Sequence, residues 1–229
     1  MEALILCAGK STRFRNNKNK LTKLLSNYRN KSLLKFHIDK CRDYGFKKIF
    51  FNVHFQIKNI IEEIKKEIKV NFYISKEKKL LGTCGAFYKI RNKVKNDFFI
   101  IYPDNISNCN YTKMMNFHKK KKSDFTIATY SDDNLKNSGT MEFLINKKII
   151  NFIEKRKNQK KMKKWCNAGI YIVSKKIIKF VSKKDTDFAK DLIPRLINQN
   201  YNLYAFQIDK LLTFDTIQQY KKNYKRNIN

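Results

Sequence analysis

Short apolar runs that alternate with amphipathic segments organise this sequence and limit the folds open to it. Residues 57–68 place isoleucines at helical spacing opposite lysines and glutamates, which predicts an amphipathic helix. Strands that alternate with such helices predict β-α-β units and a parallel sheet. Four runs rich in Ile, Val and Phe have the length and composition of buried parallel strands: residues 2–7, 48–53, 70–75 and 97–102.

The pattern changes after Ser123, where strands with short connections dominate before the last helices. With two prolines, six glycines and no Ser/Pro-rich linker or internal repeat, the chain shows no domain boundary. The sequence therefore predicts one mixed α/β domain spanning 1–229. The predicted elements are strands at 124–130, 139–145, 148–154, 167–173 and 202–208, and helices at 174–182, 187–199 and from about residue 216.

Length and composition allow an enzyme of ordinary size. The 229 residues are 42% hydrophobic and 14% aromatic, which is enough to build a sizeable core. No apolar stretch approaches the ~20 residues that a membrane-spanning helix needs. Glu2 and an apolar strand stand where a signal peptide would have its basic region. These features favour a cytoplasmic protein without membrane partners.

The five cysteines are odd in number and widely spaced, and no pair forms a C-x-x-C motif. Neither a disulfide framework nor a zinc site is indicated. We interpret Cys7, Cys41, Cys84, Cys109 and Cys166 as reduced thiols.

The formal net charge of +32, from 51 basic and 19 acidic residues, suggests nucleic-acid binding at first sight. The lysines, however, occur along almost the whole chain, with short runs at 119–122 and 160–164. This distribution is typical of a solvated lysine surface, so no nucleic-acid partner is expected. Such a surface would still raise the local concentration of a small polyanionic substrate.

The stretch A-L-I-L-C-A-G-K-S-T-R-F ends the first strand in a small, polar turn. Open α/β sheets bind ligands at the carboxyl ends of their strands. Gly9 permits close backbone approach, the Ser11 and Thr12 hydroxyls can contact phosphate oxygens, and Arg13 offers a fork of donors. The spacing fits neither the Walker motif nor the G-x-G-x-x-G fingerprint. The alternatives are a phosphate-binding loop and an ordinary strand-to-loop connection.

This stretch resembles the signature L-x-G-G-x-G-T-R-L of the sugar-phosphate nucleotidylyltransferases, among them mannose-1-phosphate guanylyltransferases and heptose- or muramic-acid-type relatives. The family places a lysine ten residues after the arginine, and here that residue is Lys23, followed eight positions later by Lys31. Molybdopterin-type nucleotidyltransferases place their lysine nearer the arginine, where this chain has Lys18. Only Lys23 has a second lysine at the family's distance, so the resemblance favours Lys23.

Further segments resemble the family in the same order along most of the chain. The resemblance implies a Rossmann-like three-layer fold with a mixed, mainly parallel sheet, of the nucleotide-diphospho-sugar transferase type. The segments are F-N-V-H-F (51–55), L-L-G-T-C-G-A-F (80–87), F-F-I-I-Y-P-D-N-I (98–106), F-I-E-K-R (152–156), W-C-N-A-G-I-Y-I-V (165–173) and D-F-A-K-D-L-I-P-R-L-I (187–197).

The resemblance also implies a role for each matching residue. The sugar 1-phosphate oxygen attacks the α-phosphate of a nucleoside triphosphate, pyrophosphate leaves, and no general base is needed. Arg13 and Lys23 are the implied catalytic residues, and Asp104 and Asp215 the implied Mg²⁺ ligands. The implied nucleotide-binding residues are Leu6, Ala8, Gly9, Ser11, Thr12, Gly82 and Thr83, and the implied sugar-phosphate-binding residues are Glu154, Lys155, Asn167 and Gly169.

The sequence departs from the family pattern at several of these positions. Ser11 and Pro103 each replace a glycine, and the closing D-I-G-T-P-E-x-Y is shortened to F-D-T-I-Q-Q-Y. Asp215 keeps its spacing to Tyr220, but it could instead be the N-cap of the last helix. Glu154, Lys155, Asn167 and Gly169 could equally belong to an exposed strand pair.

The motifs favour GTP or UTP as the nucleotide, because N-V-H and L-G-T-C-G-A are most similar to enzymes that use manno-type or related sugars. Two other functions stay open. One is a transferase with another acceptor, either a cytidylyltransferase acting on a phospho-alcohol or another phosphorylated small molecule, or a transferase acting on a molybdenum cofactor. The other is a basic protein that binds polyanions without catalysis. The oligomeric state is not encoded in any of these motifs.

Overall fold

A computed structural model of the chain describes residues 1–14, 22–132, 139–153, 164–224 and 226. The chain forms two compact units. The first comprises Met1–Leu80, Ile100–Ser107 and Leu211–Asn229, and the second comprises Leu81–Phe99 and Asn108–Lys210.

The strands are β1 (Glu2–Leu6), β2 (Asn27–Tyr28), β3 (Lys31–Ser32), β4 (Lys48–Val53), β5 (Asn71–Lys76), β6 (Phe98–Ile101), β7 (Asn105–Ser107), β8 (Phe125–Asp132), β9 (Thr140–Phe143), β10 (Ile149–Ile153), β11 (Lys164–Val173), β12 (Leu203–Gln207) and β13 (Leu211–Thr213). The α-helices are α1 (Leu33–Asp43), α2 (Ile57–Glu67), α3 (Gly82–Ile90), α4 (Tyr111–Lys120), α5 (Lys175–Phe180), α6 (Ile193–Asn198) and α7 (Ile217–Asn223). Short 3-10 helices span Lys23–Leu25 and Arg91–Lys93, and a π-helix spans Phe188–Leu192. Within the described ranges, no helix is long and apolar enough to cross a membrane.

Parallel strands form the sheet of the first unit. β4 pairs with β1 from Glu2↔Lys48 to Leu6↔Asn52, and with β5 from Lys48↔Asn71 to Val53↔Lys76. The three central residues of β1 and all but the first residue of β4 are buried, as the continuous apolar runs predict. α1 packs against α2, whose buried face carries Ile60 and Ile64. The carboxyl ends of β1 and β4 therefore lie side by side.

Two small hairpins complete the first unit. Arg29 and Asn30 join β2 to β3 with φ of 52° and 65°, and two positive φ values in sequence are typical of a type I′ turn. β13 pairs antiparallel with β7 from Leu211↔Ser107 to Thr213↔Asn105. One apolar cluster packs against both hairpins and fixes their positions. Its members are Tyr28, Leu33, Ile106, Leu212 and Phe214, with Phe36 and Tyr220 against them.

The second unit is mixed in strand direction. β11 pairs antiparallel with β8 and β9, β9 pairs antiparallel with β10, and β12 runs parallel to β8. Aromatic rings contribute much of its core, since Phe125 and Phe188 both lie within 5.5 Å of the Tyr171 ring centroid. All five cysteines lie within the described residues, are buried and form no disulfide.

Most elements predicted from the apolar runs are present, with ends shifted by one to three residues. Residues 80–87, which the sequence singled out only for their motif, contain the start of α3 at Gly82. Helices α1 and α4 and the four shortest strands were not predicted. The expected helix at 187–199 is divided into the π-helix and α6. The assignment of 1–229 to one domain stays a prediction.

Two glycines give opposite expectations for substitution by alanine. Gly82 has φ of +79°, and a Cβ there would lie 2.1 Å from the Thr186 carbonyl oxygen, whereas a Cβ on Gly9 would meet nothing within 4 Å. We expect Gly82→Ala to lower the free energy of unfolding by about 2–4 kcal/mol. Gly9→Ala should change it by less than about 0.5 kcal/mol. Urea unfolding of both variants measures this difference, and equal losses would contradict it.

Candidate active site

The end of β1 is held by a buried polar contact. The backbone N–H of Cys7 donates to Asn52 Oδ1 at 2.9 Å, and Asn52 Nδ2 donates to Glu77 Oε1 at 2.9 Å. Leu6 is half-buried and Ala8 is buried. Any nucleotide contact by Ala8 would therefore be made by its backbone.

The loop that follows β1 turns sharply and exposes some of its polar residues. Ser11 has φ of +54°, and its carbonyl oxygen accepts a hydrogen bond from the Phe14 N–H at 3.0 Å. Phe14 is buried and anchors the turn, while Gly9, Thr12 and Arg13 are exposed. Thr12 and Arg13 are thus exposed as phosphate binding would require. The Ser11 hydroxyl instead lies 3.0 Å from Thr22 Oγ1 and accepts from the Lys23 N–H, so its predicted phosphate contact stays a prediction.

Lys23 enters the site from the 3-10 helix at Lys23–Leu25, and its side chain is 14% exposed. Its Nζ lies 2.5 Å from Asp104 Oδ2 and 2.9 Å from Asp215 Oδ1. Residues separated by 81 and 192 positions in sequence therefore meet at one ammonium group. Lys31, in contrast, donates to Asp39 Oδ2 at 2.9 Å and belongs to a separate ion pair.

The pairing of β7 with β13 brings the two carboxylates together. Asp104 lies in the turn before β7, and Asp215 follows Phe214 just after β13. The Phe214 N–H donates to the Asp104 carbonyl oxygen at 2.9 Å and extends that pairing. Thr216, not Asp215, is the N-cap of α7, and Gln219 completes the capping box. The alternative interpretation of Asp215 as a helix cap is wrong, and its carboxylate contacts Lys23 instead.

Four charged groups form one cluster, because Arg13 also approaches Asp215, with Nη2–Oδ1 at 3.2 Å. Burial favours the neutral acid of Asp104, but attraction and hydrogen bonding from Lys23 outweigh burial and lower the pKa of Asp104. Burial likewise favours neutral Lys23, yet the two carboxylates raise its pKa above the ordinary value. Asp104 and Lys23 are therefore both expected to be charged at neutral pH.

The donor set fits a hard divalent cation. Carboxylate oxygens are the ligands Mg²⁺ prefers, and it commonly takes only one or two from protein, with water and phosphate oxygens filling its octahedral shell. Asp104 and Asp215 supply two carboxylates that already share one positive charge at Lys23 Nζ. In the part of the chain that the structure describes, no group of three or more His, Cys, Asp or Glu side chains could hold a metal ion.

Gly82 and Thr83 lie in the second unit, at the start of α3. The Thr83 hydroxyl donates to Asp187 Oδ2 at 3.2 Å and accepts from the Phe188 N–H at 3.1 Å. The backbone N–H of Cys84 donates to the Thr186 carbonyl oxygen at 3.0 Å. These contacts hold α3 against the π-helix, so the predicted nucleotide contacts of Gly82 and Thr83 stay predictions.

Asn167 and Gly169 lie on β11 in the second unit, at an irregularity of its pairing with β8. Asn167 Nδ2 donates to Tyr171 Oη at 2.6 Å, and its Oδ1 accepts from the Gly169 N–H at 2.9 Å. Both ends of the amide are used within the strand, which supports a structural role. Their sugar-phosphate contacts stay predictions, and Glu154 and Lys155 lie outside the described residues.

Sequence reasoning did not find the residues that hold the loop and Lys23 in place. Thr22 and Gln56 were not singled out, and Asn52 was noted only as part of a motif. One signal was available for Asn52, since a polar residue interrupts the apolar run of β4. Thr22 and Gln56 give no such signal, because the two residues meet across 34 positions.

The folded chain is similar to solved structures that share its α/β fold. "HddC from Yersinia pseudotuberculosis" superposes with a TM-score of 0.82 over 96% of both chains, at 22% sequence identity. The complex of HddC with GMP-PN gives a TM-score of 0.81 over the same share of each chain, also at 22% identity. The predicted fold class, an α/β fold with a mixed, mainly parallel sheet, is confirmed.

The family is shown by a sequence model. The model described as "Nucleotidyl transferase" matches residues 2–214. This chain therefore belongs to the nucleotidyl transferase family, as the motifs of the sequence imply.

Curated relatives agree with this family. "Bifunctional protein GlmU" of Methanococcus maripaludis strain C5 is 30% identical over 171 residues, covering 75% of this chain and 39% of the relative. A "Mannose-1-phosphate guanyltransferase" of Saccharomyces cerevisiae is 28% identical over 217 residues, covering 91% of this chain and 59% of the relative. The chain thus spans between two and three fifths of the length of these relatives.

The cluster predicts how stability changes with pH. A carboxyl whose pKa is lowered by folding stabilises the fold above its unfolded pKa, and this contribution is lost as pH falls through the folded pKa. Lys23→Met removes the cation that lowers the pKa of Asp104. We expect a loss of about 2 kcal/mol in unfolding free energy at pH 7, which shrinks below about pH 4. Urea unfolding at pH 7 and at pH 3 measures this change in unfolding free energy.

Lys31→Met is the matched control. Asp39 keeps Lys35 and Arg42 when Lys31 is removed, so we expect a loss below about 1 kcal/mol. A Lys23→Met loss that stays constant from pH 7 to pH 3 would contradict the coupling to Asp104.

Proposed function

We propose that this protein transfers a nucleoside monophosphate from a nucleoside triphosphate to a sugar 1-phosphate, releases pyrophosphate and uses Mg²⁺. The observation that carries the proposal is the meeting of Arg13 and Lys23 with Asp104 and Asp215. Membership of the nucleotidyl transferase family supports the reaction type. The names of the mannose-1-phosphate guanyltransferase relatives support a sugar 1-phosphate as acceptor.

The charges of the cluster suit the transfer of a nucleotidyl group between two polyanions. Arg13, whose side chain is 57% exposed, can turn its planar fork towards the β- and γ-phosphates and stabilise the leaving pyrophosphate. Lys23 can stabilise the negative charge that develops at the α-phosphate. The acceptor phosphate is already anionic at neutral pH, so its attack requires no general base. Mg²⁺ bound at Asp104 and Asp215 would neutralise and align the phosphate oxygens.

Gly9 supports a ligand next to the loop. Its backbone is not left-handed, and a Cβ at this position would meet no atom of the described chain within 4 Å. Neither conformation nor internal packing explains a glycine there. An approaching phosphate that needs close contact with the backbone does explain it. The Thr12 hydroxyl and the backbone N–H groups of this loop would supply further donors to that phosphate.

We propose GTP or UTP as the nucleotide. The motifs favour these bases, several relatives are named as guanylyltransferases, and a structure of similar fold is a complex with GMP-PN. A base is selected by hydrogen bonds to its edge, and a site that leaves such groups unpaired rejects the wrong base strongly.

One experiment tests the proposal and its catalytic residue together. The four common ribonucleoside triphosphates are each paired with a panel of sugar 1-phosphates, and pyrophosphate release is measured with Mg²⁺ present. We expect turnover with GTP or UTP. Lys23→Ala should lose two to three decades of kcat, because a charge used mainly in the transition state contributes about 2–4 kcal/mol.

Lys18→Ala is the control for this experiment and should keep wild-type kcat. Lys18 lies outside the described residues, and it is the lysine of the alternative register. A crippled Lys18→Ala with an active Lys23→Ala would refute the assignment of Lys23. A clear preference for CTP would favour the phospho-alcohol alternative. Absence of pyrophosphate release from every pair would refute the proposed function.

The metal site gives a separate prediction. Asp104→Asn and Asp215→Asn each remove one anionic ligand, so each should raise the Mg²⁺ concentration for half-maximal activity by about tenfold or more. Asp43→Asn is the control, because Asp43 is an exposed carboxylate paired only locally with Arg42. Titration of activity with Mg²⁺, alongside thermal unfolding of each variant, measures the effect. A wild-type Mg²⁺ curve for either Asp104→Asn or Asp215→Asn removes that residue from the site.

A further inference from the structure

Among the described residues of the first unit, four that are not glycine have a left-handed backbone. Arg29 and Asn30 form the β2–β3 turn, whereas Ser11 and Gln56 both direct their side chains to Thr22. Ser11 has φ of +54° and Gln56 has φ of +49°. Ser11 Oγ lies 3.0 Å from Thr22 Oγ1, and Gln56 Oε1 accepts a hydrogen bond from the Thr22 N–H at 2.8 Å. Left-handed conformation is unfavourable for residues with a Cβ, and such strain concentrates at functional sites. Both of these strained residues contact Thr22, which suggests that the position of Thr22 matters for function.

Thr22 immediately precedes Lys23, and the same contacts fix the lysine backbone. Thr22 is fully buried, and its carbonyl oxygen accepts from the Leu25 N–H at 3.1 Å. The Lys23 N–H donates to Ser11 Oγ at 3.2 Å, and the Lys23 carbonyl oxygen accepts from the Ser26 N–H at 3.1 Å. The backbone from which the Lys23 side chain extends is therefore held on both sides. The four-carbon side chain of Lys23 is flexible, but the backbone from which it extends to the charged cluster is fixed.

We propose that Thr22, held by Ser11 and Gln56, is a positioning residue that sets where the Lys23 ammonium group lies. This inference rests on the proposed function, because it assigns Lys23 a part in the reaction. A displacement of about 1 Å in a catalytic group can cost up to a hundredfold in rate. Thr22 touches no substrate in this assignment, and its effect on rate passes through Lys23.

The test is Thr22→Val, which keeps the shape of the side chain but removes the hydroxyl. We expect kcat to fall about tenfold while KM for the triphosphate stays within about twofold. Thr22→Ser restores the hydroxyl and should restore kcat. In a Lys23→Ala background, Thr22→Val should cause no further loss, because it acts only through the lysine.

Thr129→Val is the matched control for a buried threonine. The Thr129 hydroxyl donates to the Cys166 carbonyl oxygen at 2.9 Å in the second unit, and Thr129 is as completely buried as Thr22. We expect Thr129→Val to lower the melting temperature but to leave kcat unchanged. An equal fall of kcat in Thr22→Val and Thr129→Val would overturn the proposal, since both losses would then be structural.

Gln56→Gly keeps the proposal falsifiable if Thr22→Val does not fold. Glycine relieves the left-handed backbone and removes the side-chain acceptor, so we expect an unchanged or raised melting temperature together with a lowered kcat. Wild-type kcat in Gln56→Gly and in Thr22→Val, in a protein that turns over its substrates, would refute the role of Thr22 alone. A wild-type protein that releases no pyrophosphate with any substrate pair would refute the proposed function, and this inference with it.

Discussion

The contact of one lysine with two carboxylates is the interaction on which the first unit's site depends. Two carboxylates near one another repel in a partly buried place unless a cation lies between them, and Lys23 supplies that cation. The chain has 51 basic residues and only 19 acidic ones, so basic residues greatly outnumber the carboxylates available to pair with them. Acidic residues are scarce, and those that fold into contact attract several cations, as Asp39 does with Lys31, Lys35 and Arg42. A basic composition of this kind thus supplies cations to the few places where carboxylates fold into partly buried positions.

The apolar runs predicted the long strands well, because burial on both faces leaves a continuous hydrophobic signature. They could not predict β7 and β13, whose three residues are too few to show a period. These two short strands nevertheless bring Asp104 and Asp215 together. The pair of strands that matters most for the site is therefore the pair with the weakest local sequence pattern. Helix α3 was hidden for a different reason. Its first turn contains two glycines, which lower helix propensity, and contacts with the residues around Thr186 stabilise it instead.

The charged residues of the site were predicted because their order and spacing match the motifs of a known family. No single one of them would have been recognised on its own. In the first unit, Arg13, Lys23, Asp104 and Asp215 do meet. The residues that hold these charged groups in place form polar contacts between distant parts of the chain, such as that of Gln56 with Thr22. No local sequence pattern predicts a contact of this kind. For Thr83 and Asn167 in the second unit, the side chains are occupied by internal hydrogen bonds. The predicted ligand contacts of these two residues therefore stay predictions.

Ser11 illustrates how a departure from a family pattern can be compensated. The position usually holds glycine in the family that the sequence resembles, and its φ of +54° explains that preference. A serine in this conformation costs about 1–2 kcal/mol relative to glycine. Its hydroxyl is bonded to Thr22 and to the Lys23 backbone, and two such hydrogen bonds contribute a comparable free energy, about 1 kcal/mol each. A glycine would hold the same turn without strain but would leave Lys23 without this link. Serine in place of glycine thus strains the backbone of the loop but connects the loop directly to Lys23 by a hydrogen bond.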